Sequence, residues 1–354
     1  MKKIRHELGE LRQDPITEKW VVIAPGRGKR PDDFKQDRTH RTFDARKIPK
    51  YKDDCPFCNL TKYPQEPDVL RLPDDPDTWQ VHVFGNKYPA FAVKDEFRFW
   101  NEGPYRATEA VGYHEVMATR WHNHFGGYVS PALLEIEIEA LVLRYRELRV
   151  KPSVNYIQII KNQGPEAGGS LEHPHHQIFT VPIIPSDVSD LLHGAEKYAR
   201  QNNEKAFTII LDYERANGSR IVWENDLFTI FCPFASRSPF ETWIMPRNSN
   251  PFFDSIGPPE RAALAEALHE ALGRISAGLN NPAYNYYVLS APCDDTGFVC
   301  DASLFGHFRW HIEILPRVNT WGGFELGTGL EINSMAPEQA AAHLREQKVP
   351  EPIA

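Results

Sequence analysis

The chain has little cysteine, no long apolar run and no excess of positive charge. Five cysteines in 354 residues are too few and too scattered for a disulfide framework. Two stand together as Cys55-Pro-Phe-Cys58, and Cys232, Cys293 and Cys300 lie singly, a pattern expected of a reducing cytoplasm. No stretch approaches the roughly 18 apolar residues that span a bilayer, so no membrane span is expected. The charged opening MKKIRHELGELRQDP lacks the apolar centre of a secretory signal. A net charge of -8 without a basic run argues against nucleic acid as the main partner. The 29 prolines are dispersed, so they punctuate loops and do not mark disorder.

Histidine is concentrated in one place. Residues 168–182 read GGSLEHPHHQIFTVP, with three histidines inside four positions. In an extended strand, residues i and i+2 share a face. His173, His175 and Gln177 therefore line one side, and His176 points to the other. Such a row is costly to bury as core, because each imidazole needs a partner for at least one nitrogen. The preceding loop, Asn162-Gln-Gly-Pro-Glu-Ala-Gly-Gly-Ser170, is rich in glycine. Its backbone N–H groups can approach an anion such as phosphate.

Periodicity places strands at WVVIA (20–24), WQVHVFGNKYPAFAV (79–93), GYHEVMATRWH (112–122), NYIQIIKN (155–162) and HQIFTVP (176–182). Leu134, Ile138, Leu141, Val142 and Tyr145 recur at helical spacing behind Ser130-Pro131, a cap and first turn. The second half repeats the order. LFTIFCPFA and FETWIMPR read as strands, PPERAALAEALHEALGRISAGL as a helix closing near Gly278, and NYYVLSAP and FRWHIEILPR as further strands. Equivalent elements recur about 135 residues apart, which points to a duplicated α+β unit. Residues 1–195 would carry the histidine cluster, and residues 196–354 would keep a single histidine, His311, at the matching place.

Three further motifs carry chemistry. Cys55-x-x-Cys58 suits two thiolates on one metal, usually zinc. His173 can supply a third ligand, and His122 or His124 a fourth. A redox pair would follow a strand and open a helix, whereas here a polar loop follows; two inert thiols are the other reading. Gly26-Arg-Gly-Lys-Arg30-Pro puts three cations in a turn that can hold a diphosphate, although such clusters are often only solvated. GGFELGTG (322–329) sets Glu325 among glycines, where a carboxylate can accept from sugar hydroxyls or simply cap a turn.

Together RQDPITEKWVVIAPGRGKRP, CPFC, GYHEV, NQGPEAGGSLEHPHHQ, FRWHIEILPR and GGFELGTG resemble the galactose-1-phosphate uridylyltransferase family, the nucleotidylyltransferase branch of the histidine-triad superfamily. The resemblance runs over most of the chain. It implies a duplicated histidine-triad fold with two antiparallel half-barrels and flanking helices, in a homodimer. It implies a ping-pong reaction in which His175 attacks the α-phosphorus of a nucleoside diphosphate sugar and expels a sugar 1-phosphate. Gln177, Ser170, Asn162 and the amides of Gly168 and Gly169 would contact the phosphates, with Arg27 and Arg30 nearby. Asn86 would meet the nucleoside and Glu325 the sugar hydroxyls. A structural zinc would take Cys55, Cys58, His173 and, by spacing from the following helix, His122.

The pattern is not kept everywhere. His176 stands where many relatives have a small residue. Some relatives hold a second metal in the C-terminal half, but Glu313 replaces one expected histidine and LSAPC lacks another, so no second metal is expected. The ELGTG ending also resembles the plant enzyme that moves AMP from ADP-glucose to phosphate. The leading expectation is transfer between UDP-glucose and galactose 1-phosphate. The rivals are an ADP-glucose or dinucleoside polyphosphate phosphorylase and a non-catalytic, zinc-stabilised nucleotide-binding protein.

Overall fold

The computed structural model describes residues 9–25, 45–294 and 297–353. In chain order the elements are β1 (Glu10–Gln13), β2 (Trp20–Ile23), β3 (Asp68–Leu72), β4 (Val81–Gly85), β5 (Phe99–Glu102), β6 (Tyr105–Thr108), β7 (His114–Thr119), α1 (Pro131–Leu148), β8 (Tyr156–Gln163) and β9 (His175–Val181). There follow α2 (Ser186–Asn202), α3 (Ala206–Asn217), β10 (Ile221–Glu224), β11 (Phe228–Phe231), β12 (Thr242–Pro246), α4 (Pro258–Leu279), β13 (Tyr284–Leu289), β14 (His311–Pro316), α5 (Gly323–Thr328), β15 (Ile332–Asn333) and α6 (Pro337–Arg345).

Ten strands form one antiparallel sheet in the order β10-β11-β12-β14-β13-β8-β9-β7-β4-β3. The order is a palindrome of two equivalent halves joined where β8 pairs with β13. The seam runs from Tyr284 opposite Gln163 to Val288 opposite Ile159. The α+β class, the antiparallel halves and the flanking helices are as expected; the halves share one hydrogen-bonded sheet. A second, three-stranded sheet joins β1 and β2 to β15, which pairs in parallel with β2.

The two long helices form as their periodicity predicts. Ser130 accepts a hydrogen bond from the Leu133 N–H at 3.3 Å, and Pro131 opens α1. Asn280, in the left-handed conformation at φ 58°, closes α4. Leu134, Ile138 and Leu141 of α1 and Leu264, Leu268 and Leu272 of α4 pack on Ile157, Ile159, Ile178, Tyr286, Val288 and Ile312, forming one core beneath both halves. That core accounts for the sheet's helical face.

The opposite face differs between halves. On the second half, Leu192 of α2 and Phe207 and Leu211 of α3 cover Phe231, Trp243 and Met245. The expected boundary at 195/196 lies inside α2, a helix packed on the second half. On the first half, the only buried apolar cluster on this face among the described residues is small: Cys55, Phe57, Phe84, Val116 and Ala118. No helix among the described residues is long and apolar enough to cross a membrane.

Candidate active site and metal centre

The two-residue period of β9 decides the site. Gln177 pairs with Val116 and Ile160, and His176 pairs with Met117 and Lys161. His175 and Gln177 therefore face away from the helices, and His176 faces into them. His176 is fully buried and hydrogen-bonded to the Tyr286 hydroxyl, as the outward-inward alternation predicts.

Cys55, Cys58, His122 and His173 bring their ligand atoms within 4.8 Å of one another. The His122 and His173 Nδ1 atoms are 3.2 Å apart, the Cys55 sulfur is 3.5 Å from His173 Nδ1, and the Cys58 sulfur is 3.4 Å from His122 Nδ1. Four such ligands about 2.0–2.3 Å from a common ion have edges of roughly 3.3–3.8 Å, so the set has the dimensions of a closed tetrahedral zinc site. The outer nitrogens are also engaged. His173 Nε2 donates to the Thr119 carbonyl at 2.7 Å, and His122 Nε2 lies 3.1 Å from the Glu172 carboxylate, itself paired with Lys52. These bonds aim both Nδ1 atoms inward, as ligand-orienting contacts do. Cys58 and the two imidazoles hold the Cys55 thiol far below its usual range. The residues fit a metal. His124 lies outside the set; it is buried, and burial lowers its pKa to about 4.

His175 is held by the same segment. Its Nδ1 is 2.7 Å from the His173 carbonyl, which can only accept, so Nδ1 carries the proton. The Nε2 lone pair is thereby left for a reacting atom, and no bond to it occurs among the described residues. Phe57 sets its ring against His175 at 5.5 Å. His175 is 7% exposed, and burial lowers its pKa, which favours the neutral, nucleophilic imidazole.

The glycine loop follows Asn162, but the Gly168 and Gly169 N–H groups expected to meet a phosphate donate within the loop, to the Pro165 and Gly164 carbonyls, each at 2.9 Å. Gly164 and Gly168 have φ of +88° and +80°, and a Cβ on Gly169 would stand 2.9 Å from the Gly164 carbonyl oxygen. Neither conformation nor space admits another residue readily. Asn162 follows Ile160 at i+2 and so shares the face of Gln177. Ser170 is exposed at the end of this loop.

Two polar residues outside the expected set organise the site. His114 Nε2 lies 3.0 Å from Gln177 Oε1 and 3.0 Å from the Asn86 amide, linking those two expected residues, and its ring stacks on Phe179 at 4.0 Å. Its place in the GYHEV motif was the available signal. Asn285, from β13 of the other half, bonds Asn162; no local motif marks it. Glu325 is not brought to this cluster by any described contact. Its carboxylate accepts from the Gly322 N–H at 2.9 Å and caps α5. Arg27 and Arg30 lie outside the described residues.

The matching position in the second half is different. His311 repeats the bond to the residue two before it, with Nδ1 2.9 Å from the Arg309 carbonyl. It is fully buried among Phe207, Trp243 and Phe308. Glu313, in the place of Gln177, is tied to Arg237 and to Tyr287, and Arg237 also pairs with Glu241 at 2.8 Å.

The chain is similar to known proteins over nearly its whole length. The family model described as galactose-1-phosphate uridyl transferase, N-terminal domain, matches residues 2–185, and a domain of unknown function, DUF4921, matches 127–350. ADP-glucose phosphorylase of Arabidopsis thaliana is 31% identical over 346 residues, covering 97% of this chain and 94% of that protein. Galactose-1-phosphate uridylyltransferase of Thermotoga maritima is 28% identical over 350 residues, covering 96% and 99%. A crystal structure of an Arabidopsis thaliana ADP-glucose phosphorylase with bound ADP-glucose matches with a TM-score of 0.80 at 28% identity, over 97% of this chain and 100% of that one. This chain belongs to the galactose-1-phosphate uridylyltransferase family of nucleotidyltransferases.

Proposed function

We propose that this protein transfers AMP from ADP-glucose to phosphate through a nucleotidyl-histidine on His175. The observation that carries the covalent step is the 2.7 Å bond from His175 Nδ1 to the His173 carbonyl, which leaves Nε2 unprotonated. In the first half-reaction Nε2 bonds to the α-phosphorus and the bond from phosphorus to the bridging oxygen breaks, releasing glucose 1-phosphate. In the second, a phosphate oxygen takes the nucleotidyl group and His175 is restored. Gln177, Asn162 and Ser170 donate to the phosphoryl oxygens as charge builds. Asn86, linked through His114 to Gln177, meets the nucleoside; the roles of Arg27 and Arg30 at the diphosphate and of Glu325 at the sugar rest on the family resemblance alone. Cys55, Cys58, His122 and His173 would hold a structural zinc, which would brace the segment whose His173 carbonyl orients the nucleophile. The working unit is a cytoplasmic homodimer.

The choice of AMP rests on the relative that is 31% identical across nearly the whole chain. A second reading, UMP transfer between UDP-glucose and galactose 1-phosphate, is favoured by the family model over residues 2–185 and by the 28% identical relative. Intact mass after mixing with ADP-glucose or UDP-glucose, quenched without acid, tests both. An AMP adduct that disappears in His175→Ala is expected. A UMP adduct alone would move the assignment to the second reading. No adduct with either sugar nucleotide would reject both.

A further inference from the structure

Asn162 can serve a phosphate only if its amide nitrogen, not its oxygen, faces the anion. Here the surrounding hydrogen bonds decide which one does. One terminal atom of Asn285 lies 2.7 Å from the Ala167 carbonyl oxygen and 2.8 Å from a terminal atom of Asn162. A backbone carbonyl can only accept, so the Asn285 atom must be its NH2 group. The Asn162 atom beside it must then be the oxygen, and Asn162 Nδ2 is turned the other way. That nitrogen lies 4.0 Å from where a Cβ on Gly168 would stand, beside the glycine loop. Asn285 sits directly opposite Asn162 across the β8–β13 seam, so the second half of the chain supplies this bond.

From this juxtaposition we infer that Asn285 is a positioning residue of the phosphate site: one NH2 group ties Asn162 Oδ1 to the Ala167 carbonyl, and so fixes Asn162 Nδ2, beside the glycine loop, as a donor to the anion. The inference rests on the proposed role of Asn162 and the loop. It adds that half of the duplicated chain which lacks the nucleophile completes the site. Asn285 itself touches no substrate. Its loss leaves Asn162 free to rotate and the loop without its anchor at Ala167, and a misplacement on the order of 1 Å costs up to about a hundredfold in rate.

The test measures single-turnover nucleotidylation of His175 from ADP-glucose and UDP-glucose, with sugar-nucleotide affinity, zinc content and Tm recorded for each variant. Asn285→Ala is expected to slow the covalent step roughly 10–100-fold while affinity changes by less than about threefold. Added to Asn162→Ala, it should cause no further loss, because it acts through Asn162. Asn285→Asp keeps the shape but puts a carboxylate where the NH2 was. It should slow the step at least as much, by drawing Asn162 Nδ2 away from the anion. Asn285 variants that keep wild-type rates, or losses that multiply with Asn162→Ala, would overturn the inference. So would a rate loss that merely tracks falling Tm or zinc. A wild-type protein that forms no adduct would instead reject the parent reading, and this inference with it.

Discussion

The two halves share one scaffold and differ in what lies on one face. In the first half, β9 presents His175 and Gln177 on a face whose buried apolar cover, among the described residues, is the small cluster around Cys55 and Phe57. In the second half, β14 presents His311 and Glu313 at the matching places, beneath α2 and α3. The backbone bond that sets the tautomer is common to both, at 2.7 Å for His175 and 2.9 Å for His311. Orientation of an imidazole by a carbonyl two residues earlier is therefore a property of the scaffold. Reactivity depends on what is added: a neutral glutamine donor and a glycine loop. Replacing glutamine with glutamate converts a donor for phosphoryl oxygens into a partner for Arg237.

That contrast can be tested from its strongest consequence downward. His175→Ala should lower nucleotidyl transfer by about 10⁴-fold or more without unfolding the chain, read by intact mass and circular dichroism. His311→Ala should leave the adduct rate within about threefold while lowering Tm, since it empties a filled core position. Appreciable transfer by the first variant, or equal loss in both, would dissolve the distinction between the halves.

Gln177→Glu makes the first half resemble the second. It should slow transfer roughly 10²–10³-fold by removing a donor and adding a like charge beside the phosphates. Retained activity would show that the identity of this residue does not separate the halves. Cys55→Ser should lose bound metal, lower stability by about 3 kcal/mol or more, and slow His175 through the displaced His173 carbonyl. Unchanged metal content by elemental analysis would refute the zinc assignment.

Glu313→Gln probes the sealed half and should act on stability, by about 1–3 kcal/mol, with transfer little changed. Burial alone would raise the Glu313 carboxyl, but Arg237 above all, with His311 and Tyr287, holds it well below its ordinary 4.5. A carboxyl depressed in the folded state contributes stability that is complete above about pH 4.5 and is lost as pH falls below it. The stability difference between wild type and Glu313→Gln should accordingly be largest at neutral pH and shrink in acid. Urea unfolding at pH 7 and pH 3 would show it, and a pH-independent difference would contradict the ion-pair origin.

Much of this was legible in the residues. The period of two in HPHHQ put His173, His175 and Gln177 on one side and His176 on the other. Ser130-Pro131, Pro258 and the apolar spacing located both long helices. Cys55-x-x-Cys58 announced a metal set. Other features depended on contacts distant in sequence. His122 and His124 both lie near the end of β7, and the loop between β7 and α1 decides which one meets the thiols. The division expected at 195/196 falls inside the segment 186–217, whose apolar spacing alone does not say what it covers. That segment forms α2 and α3, which seal the second half. Asn285 has meaning only once β13 lies beside β8. The parallel pairing of β2 with β15 joins residues about 310 apart, beyond the reach of any local pattern.

The seam between β8 and β13 also bears on how the chain is made. Strand β8 is complete at residue 163, whereas its partner spans Tyr284–Leu289. During synthesis β8 would display unpaired N–H and C=O groups from Ile159 to Gln163 until β13 pairs with it. Such an edge invites pairing with another nascent chain. The order of the gene product thus assigns the second half a protective duty before any chemistry begins: it is the strand cover that converts an adhesive border into the middle of a sheet.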